Sequence, residues 1–309
     1  LHWINQGFLS LRDIERLVKQ NKPIVWTMHD MWPCTGICHH ARDCEKFQTE
    51  CESCFFLKSK GKDLSTSVFD KKMSLYKDAN ITFVGCSRWL SGRAKKSYLL
   101  RGKAVLSIPN PIDTKVYHPM DQGMARELLG LPSGKRLLLF GALNVTDKRK
   151  GIDYLIEALR RMEKQDVELV VFGQVKDDIR GLFPVPIHSM GYLSDESKIV
   201  ALYNAVDMFI TSSLEENLPN TIMESMACGT PCVGFEIGGI PEMIDHRVNG
   251  YVANYKDAGD LANGIQWVLE HEDRLALSDA CVKKVQENYT EEVVAKQYTA
   301  LYEKLLKGE

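Results

Sequence analysis

Ser212-Ser-Leu-Glu-Glu-Asn-Leu-Pro-Asn-Thr-Ile-Met-Glu-Ser-Met-Ala-Cys-Gly-Thr-Pro231 is the most informative stretch of this 309-residue sequence. It follows Asp207–Thr211, an apolar run typical of a buried strand, and it continues into residues with helical spacing. Asn220 is a good N-cap for that helix. We therefore expect Glu216 to lie in the loop before the helix and Glu224 on the second helical turn.

The amino end of such a helix is a natural binding site for an anion. Its free amide groups and the positive end of its dipole both favour negative charge. Two carboxylates beside the same site would oppose an anion unless the ligand also offers hydroxyl groups. Sugar and ribose hydroxyls meet that need, because each can donate a charge-assisted hydrogen bond to a carboxylate.

Similar apolar runs recur along the chain, with amphipathic stretches between them. Continuous apolar strands separated by helices indicate a parallel sheet that is covered on both faces. The sequence therefore predicts an α/β fold, and its length suits two domains. The predicted strands are Pro23–Met28, Ile81–Gly85, Ala104–Ile108, Arg136–Gly141, Val167–Gly173, Asp207–Thr211 and Cys232–Phe235.

A domain boundary is expected near Ile108-Pro-Asn-Pro-Ile-Asp113, where two prolines follow a strand. We assign residues 1–115 to an N-terminal domain, 116–288 to a C-terminal domain, and 289–309 to a helix that docks back. The first domain has three strand candidates, where a doubly wound half has about five or six. Because the sequence also starts at Leu1 in the middle of a structural pattern, we expect this domain to be incomplete.

Composition excludes several classes of protein. Lys and Arg total 39 against 41 Asp and Glu, a net charge of -2, whereas a general nucleic-acid binder has a strong basic excess. No apolar run is long enough to cross a bilayer, and no signal peptide opens the sequence. We therefore expect a cytoplasmic protein that binds no nucleic acid.

Five of the nine cysteines lie in a Cys-rich insert, residues 34–54. The two-residue gap between Cys51 and Cys54 suits one tetrahedral zinc ion, with Cys38 and Cys44 completing a four-thiolate site. His39 and His40 are substitute ligands, and free thiols or disulfides are the alternatives. A structural zinc ion is the one cofactor that the sequence suggests.

Residues 79–112 contain no acidic residue but six Lys and Arg side chains, interleaved with Trp89, Tyr98, Leu99 and Leu100. One interpretation is a patch that rests on anionic lipid at the inner face of the membrane. The other is a solvated helix that covers the sheet. Peripheral membrane contact therefore stays open at this point.

The 212–231 stretch resembles the Glu-x7-Glu motif of retaining glycosyltransferases of family 4. Further segments agree with that family in order along nearly the whole chain: Thr27–Asp30, Ile108–Asp113, Arg149–Gly151, His188–Tyr192 and Gly238–Glu242. These motifs are most similar to those of bacterial enzymes of capsular, exopolysaccharide or O-antigen synthesis. The resemblance implies the GT-B fold, with two Rossmann-like domains and a crevice between them, here with an N-terminal truncation.

The resemblance also implies roles for the residues around the two glutamates. Glu216 would face hydroxyls of the donor sugar, and Glu224 would hold the ribose. The loop residues between them, Asn217, Leu218 and Asn220, would also line the donor.

Other positions match the family's cationic, base-binding and catalytic residues. Lys150 would neutralise the donor diphosphate, assisted by Arg149 and Lys148, because Ala142 stands where many members have an arginine. Met190, Gly191 and Tyr192 match the loop that receives the base. His29 matches the N-domain histidine that approaches the reacting sugar.

The implied activity is transfer of a hexose from a UDP- or GDP-sugar to a glycan or lipid-linked acceptor. The family is generally described as reacting by front-face substitution, so we assign no nucleophile and expect no catalytic metal or other cofactor. Alternatives are a nucleotide-sugar epimerase of similar fold and a zinc-dependent interaction module. A NAD-dependent dehydrogenase is disfavoured, since no Gly-x-Gly-x-x-Gly follows a strand.

Overall fold

The computed structural model describes residues 1–5, 7–162, 166–174 and 180–308. The predicted α/β fold class is confirmed: the described strands form two separate sheets, and neighbouring strands in each are parallel. The strands are β1 Ile24–Met28, β2 Ile81–Gly85, β3 Val105–Ser107, β4 Arg136–Asn144, β5 Val167–Gln174, β6 Ile187–Gly191, β7 Met208–Thr211, β8 Cys232–Phe235 and β9 Gly250–Ala253. The α-helices are α1 Leu11–Val18, α2 Leu64–Tyr76, α3 Arg88–Lys96, α4 Gln122–Leu129, α5 Ile152–Arg161, α6 Glu196–Ala205, α7 Asn220–Ala227, α8 Ile240–Met243, α9 Ala258–Leu269, α10 Arg274–Asn288 and α11 Glu291–Lys307.

The chain divides into two compact units. The first contains residues 1–109 and 295–309, and the second contains residues 110–294. The division falls before the predicted limit at residue 115 because Ile112 belongs to the second unit, where its N–H donates to Tyr289 O at 2.8 Å. For the same reason, the second unit continues past the predicted limit at residue 288.

The first unit contains the three-stranded sheet, in the order β1-β2-β3. Its core is aromatic: Trp26 stacks on Phe83 with ring centroids 5.8 Å apart, and Tyr76 of α2 meets Phe83 edge-on at 5.3 Å. The last helix contributes Tyr298, whose hydroxyl lies 2.9 Å from Thr27 Oγ1. That contact places α11 against β1.

The second unit contains a six-stranded sheet in the order β6-β5-β4-β7-β8-β9. The chain starts at β4, builds outward to β6, and then returns to the other side of β4 with β7. In doubly wound sheets, ligands bind at the carboxyl ends of the two strands where this reversal occurs. The strand order therefore directs attention to the loops that follow β4 and β7.

Two strands of this sheet, β6 and β9, were not predicted. Both lie at the edges of the sheet. The side chains of β6 are half-buried or exposed, and His188 and Ser189 interrupt its apolar pattern. β9 is short and begins at Gly250. Neither one shows the continuous apolar run that marks a central strand.

No helix in the described ranges combines the length and the apolar character that crossing a bilayer requires.

Candidate functional site

The loops after β4 and β7 meet at the reversal of strand order. A short 3-10 turn, Lys148–Lys150, follows β4, and the loop of residues 212–219 follows β7. Leu214 N–H donates to Arg149 O at 2.7 Å, and the Ser212 hydroxyl donates to Lys150 O at 3.0 Å. These bonds fix the basic turn against the glutamate-bearing loop.

Gly151 makes this close approach possible. Its φ is +64°, in the left-handed region, and a Cβ placed there would lie 1.9 Å from Ser212 O. Any side chain at this position would force the two loops apart. The glycine therefore determines how near the basic turn comes to the loop that carries Glu216.

Lys150 and Glu216 form an ion pair at the centre of this region. Lys150 Nζ lies 2.5 Å from Glu216 Oε1, and the two side chains are 34% and 15% exposed. The sequence analysis predicted both residues but not that they touch. The pair offers a cation and a hydroxyl acceptor side by side, and both groups are partly accessible to a ligand.

The two cations next to Lys150, Arg149 and Lys148, differ in their contacts. The Arg149 guanidinium is bound to Asp147, with Nη2 2.6 Å from Oδ2. Hydrogen bonds from Arg149 lower the pKa of the Asp147 carboxyl. Lys148 is exposed on the same turn. Asp147 therefore balances one of the three positive charges, an arrangement that the sequence analysis did not anticipate.

Glu224 lies on the second turn of α7, as predicted, and is half-buried. The Tyr203 hydroxyl of α6 donates to Glu224 Oε2 at 2.8 Å. Burial raises the pKa of Glu224, the Tyr203 hydrogen bond opposes that rise, and the charge of Glu196 adds to it. Tyr203 thus supports the ionised form of a carboxylate that its surroundings disfavour.

The predicted N-cap was wrong by one residue. Pro219 is the N-cap of α7, and Asn220 is its first helical residue. Pro219 makes no capping hydrogen bond from its side chain, and Asn220 Oδ1 instead accepts from Asn110 Nδ2 at 3.3 Å. Pro219 has the extended backbone of an N-cap residue, but its side chain gives the first amide groups of α7 no capping partner.

A third loop, following β8, supports the backbone beneath Glu216. Gly239 N–H donates to Asn217 O at 2.5 Å, and Gly238 has a φ of +58°. A Cβ on Gly238 would lie 2.0 Å from Glu216 O. Asn217 and Leu218 are themselves buried, so their side chains stabilise the loop and are little exposed to solvent.

The three residues predicted to receive the base lie at the end of β6. Met190 and Gly191 belong to the strand, whereas a loop was predicted, and Tyr192 follows it with 61% of its surface exposed. β5 separates this strand from β4, although all their carboxyl ends lie at one edge of the sheet. The structure thus places these residues at the same edge as Lys150, two strands away.

His29 belongs to the first unit and directly follows β1. Its Nε2 lies 3.2 Å from Nδ1 of His2, and the two rings stack. Burial lowers the pKa of His29, and the neighbouring His2 lowers it further. A neutral imidazole is therefore favoured at this position near neutral pH.

Zinc binding by the Cys-rich insert stays a prediction. Across the part of the chain that the structure describes, no three His, Cys, Asp or Glu side chains are grouped to hold a metal ion. Burial raises the pKa of Cys51 to about 11 and also raises that of Cys38. The zinc prediction for Cys38, Cys44, Cys51 and Cys54 therefore gains no support from the geometry.

Comparison with known proteins adds a family. Residues 134–271, which include Lys150, Glu216 and Glu224, match the family model described as "Glycosyl transferases group 1". The match covers less than half of the chain and shows what this segment is similar to. The matched segment lies wholly within the second unit and contains the ion pair and α7.

Two curated relatives are similar to parts of this chain. N-acetyl-alpha-D-glucosaminyl L-malate synthase of Bacillus anthracis is 24% identical over 213 residues, which cover 67% of this chain and 55% of that protein. N,N'-diacetylbacillosaminyl-diphospho-undecaprenol alpha-1,3-N-acetylgalactosaminyltransferase of Campylobacter jejuni is 33% identical over 118 residues, covering 38% of this chain and 31% of that protein. The chain thus spans about half the length, or less, of these relatives.

The fold agrees with solved structures as well. HepE of Anabaena, solved in complex with UDP, superposes with a TM-score of 0.74 at 17% identity, covering 95% of this chain and 77% of that one. Identity this low shows the fold alone. The two parallel sheets and their helices are those of GT-B glycosyltransferases.

Proposed function

We propose that this protein transfers a hexose from a UDP- or GDP-sugar to a glycan or lipid-linked acceptor, with retention at the anomeric carbon. The observation that carries the proposal is the Lys150–Glu216 pair at the reversal of strand order, beside the helix that bears Glu224. The group 1 family supports the glycosyltransferase class. Family 4 membership rests on the resemblance of the Glu-x7-Glu stretch.

Donor binding would rearrange the ion pair. The diphosphate takes the Lys150 ammonium, with Lys148 and Arg149 as further cations, while Glu216 is released to accept hydrogen bonds from sugar hydroxyls. Glu224 accepts from the ribose hydroxyls. The base lies toward Met190, Gly191 and Tyr192, and the loop through Asn217, Leu218 and Asn220 lines the donor.

The reaction requires stabilisation of the leaving group. The bond between the anomeric carbon and the diphosphate oxygen breaks, and its electron pair stays on the phosphate. The acceptor oxygen bonds to the same face of the anomeric carbon and gives its proton to the departing phosphate. Lys150 and the amino end of α7 favour the charge that develops, so they act most strongly in the transition state. His29 is proposed to approach the reacting sugar.

A role in capsular, exopolysaccharide or O-antigen synthesis is part of the proposal. It is supported by the resemblance of the sequence and by a similar Campylobacter jejuni enzyme named for an undecaprenol-linked substrate. A cytoplasmic location stays a prediction.

Membrane contact through residues 79–112 stays a prediction. Leu99 and Leu100 are buried, and Arg93 pairs with Glu45. Tyr98 and Leu106 of the same stretch are exposed, so both interpretations of it, a lipid-binding patch and a solvated helix, remain predictions.

A panel of UDP-, GDP- and ADP-sugars tests the proposal. A ligand bound only by the native state raises the melting temperature, so the correct donor should give the largest shift, and its free nucleotide a smaller one. After incubation with donor and acceptor, the anomeric configuration of the product is compared with that of the donor, and retention predicts that the two are the same. Formation of an epimer from UDP-GlcNAc alone, or no shift with any nucleotide, would contradict the assignment.

A further inference from the structure

A short loop in the first unit, residues 53–62, exposes apolar side chains. We call it the basic-apolar loop. Phe55 and Phe56 are each 45% exposed and Leu57 is 39% exposed. No acidic residue occurs from Phe55 to Lys62. Its exposed basic residues are Lys58, Lys60 and Lys62.

Hydrogen bonds hold the basic-apolar loop in a fixed shape. Ser53 N–H donates to Gly61 O at 2.8 Å, and Gly61 N–H donates to Ser53 Oγ at 2.8 Å, which closes the base of the loop. The Asp63 carboxylate accepts from Cys54 N–H at 2.8 Å and from the Ser59 hydroxyl. Exposure of the aromatic rings is therefore a property of the folded loop and not of a frayed segment.

The two rings lie together and beside a cation. Phe55 and Phe56 have ring centroids 4.0 Å apart. The Arg42 guanidinium lies 5.3 Å from the centroid of Phe56 and 5.8 Å from that of Phe55. An exposed apolar tip with an arginine beside its rings and three lysines in the same loop is the chemical pattern of a segment that rests in a membrane interface.

We propose that the basic-apolar loop binds the surface of an anionic lipid bilayer. Phe55, Phe56 and Leu57 enter the boundary of the acyl chains, while the three lysines and Arg42 meet lipid phosphates. Charge complementarity favours this occupant over a second copy of the chain, because pairing two such loops would bring like charges together. The proposal does not rest on sugar transfer.

The expected association is reversible. Each basic residue near an anionic surface changes the membrane affinity about five-fold, and the effect is screened by salt. Three exposed apolar side chains add a contribution that does not depend on lipid charge. Binding should therefore require both parts of the loop and weaken as ionic strength rises.

Co-sedimentation of the full chain with lipid vesicles tests the proposal. One set of vesicles contains phosphatidylcholine with phosphatidylglycerol, and the other contains phosphatidylcholine alone. We expect binding to the first set only. The triple variant Lys58→Gln, Lys60→Gln, Lys62→Gln should lose about five-fold affinity per lysine. The double variant Phe55→Ser, Phe56→Ser should lose about ten-fold or more.

Matched controls replace similar residues elsewhere. Lys95→Gln with Lys96→Gln removes two exposed charges from α3, and Leu128→Ser removes an exposed apolar side chain from α4. Both should bind vesicles as the unaltered chain does. An equal loss in the α3 variant would assign binding to the helix and overturn the proposal, as would equal binding to both vesicle types.

A second measurement does not depend on the stability of the serine variant. In Phe56→Trp, tryptophan emission should shift to the blue on addition of anionic vesicles, relative to the unaltered chain; no shift overturns the proposal. Dimers in sedimentation velocity that Phe55→Ser, Phe56→Ser abolishes would instead assign the loop to self-association. Thermal shifts with nucleotides test the proposed function separately, and this variant should leave them unchanged.

Discussion

Lys150 and Glu216 show how one contact can serve two states of a site. Without donor, each neutralises the other at 2.5 Å. In the proposed donor complex, the diphosphate would compete for the lysine, and the carboxylate would become available to hydroxyl groups. The two glutamates of the Glu-x7-Glu stretch should then differ in function, because only Glu224 is proposed to meet the nucleotide.

Replacing each glutamate by glutamine tests this division. Glu224→Gln should weaken UDP binding by about 1.5–3 kcal/mol, the usual value of a hydrogen bond to a charged group. Glu216→Gln should leave UDP binding unchanged or tighter, because Lys150 loses its competing partner, and should reduce discrimination between donor sugars. Titration calorimetry with UDP and with UDP-sugars measures both effects. Equal losses of UDP affinity in the two variants would contradict the division.

Burial and the Tyr203 hydrogen bond act in opposite directions on the pKa of Glu224, which gives a prediction for pH dependence. Burial raises the pKa of Glu224 above its ordinary value, and the Tyr203 hydrogen bond lowers it. If ribose binding needs the carboxylate, UDP affinity is full above this raised pKa and is lost as pH falls through it. Tyr203→Phe raises the pKa further, so the loss should begin at a higher pH.

Calorimetry with UDP from acidic to mildly alkaline pH checks this shift. Tyr251→Phe is the matched control, because the Tyr251 hydroxyl also donates to a carboxylate, Asp260, at 2.8 Å. That variant should keep the pH profile of the unaltered chain. A Tyr203→Phe profile that is merely lower at every pH would indicate a structural role alone.

Among the elements, the loops after β4, β7 and β8 depend on glycines for their close approach. Gly151 allows the Lys148–Lys150 turn to contact the backbone at Ser212, and Gly238 allows the loop after β8 to pass beneath Glu216. The position of the ion pair is therefore determined by backbone packing between loops. Helix α7 adds its amino end to the same region.

Gly151→Ala should separate the basic turn from the glutamate loop. A Cβ at 1.9 Å from Ser212 O forces a shift, in addition to the backbone strain of about 1–2 kcal/mol for alanine at positive φ. We expect a loss of about 2–4 kcal/mol in the free energy of unfolding, together with weaker UDP binding. Denaturant unfolding and calorimetry provide the two readouts.

Gly130→Ala is the matched control for that variant. Gly130 ends α4 with a φ of +65°, and nothing lies within 4 Å of a Cβ placed there. It should show the backbone strain alone, with UDP affinity unchanged. If the two variants have the same unfolding free energy and UDP affinity, the close contact at Ser212 is unimportant.

At the scale of the whole molecule, the chain contains two compact units with separate sheets and separate cores. The second unit contains the segment that matches the group 1 model and the residues proposed to bind the donor, His29 apart. A ligand that binds one unit should stabilise that unit first. Calorimetric unfolding can therefore assign the nucleotide to its unit.

We expect two unfolding transitions by differential scanning calorimetry of the full chain. UDP at about 100 times its dissociation constant should stabilise the second unit by about 2.7 kcal/mol and leave the other transition in place. Lys150→Met should abolish the UDP-dependent shift, whereas Lys135→Met, a replacement at an exposed ion pair with Asp166, should retain it. A UDP shift confined to the transition that Phe83→Ala lowers would place the nucleotide in the first unit instead.

The sequence by itself determined those features that depend on neighbouring residues. β2 and β8 were predicted with their observed bounds, because each is a continuous apolar run. The placement of Glu216 in a loop and Glu224 on the second turn of α7 also followed from local pattern. Hydrophobic periodicity and loop residues are local properties, so they can be read without knowledge of the fold.

Only the tertiary structure decided which of these residues meet. Lys150 and Glu216 are 66 positions apart, and Tyr203 and Glu224 are 21 apart, so their contacts depend on strand order and on packing of α6 near α7. The edge strands β6 and β9 lack the apolar pattern of buried strands, and only pairing with their neighbours reveals them. Cysteine spacing, finally, predicts a zinc site, but the described residues contain no group of three metal-ligating side chains, and spacing along the chain does not specify how side chains are oriented or buried.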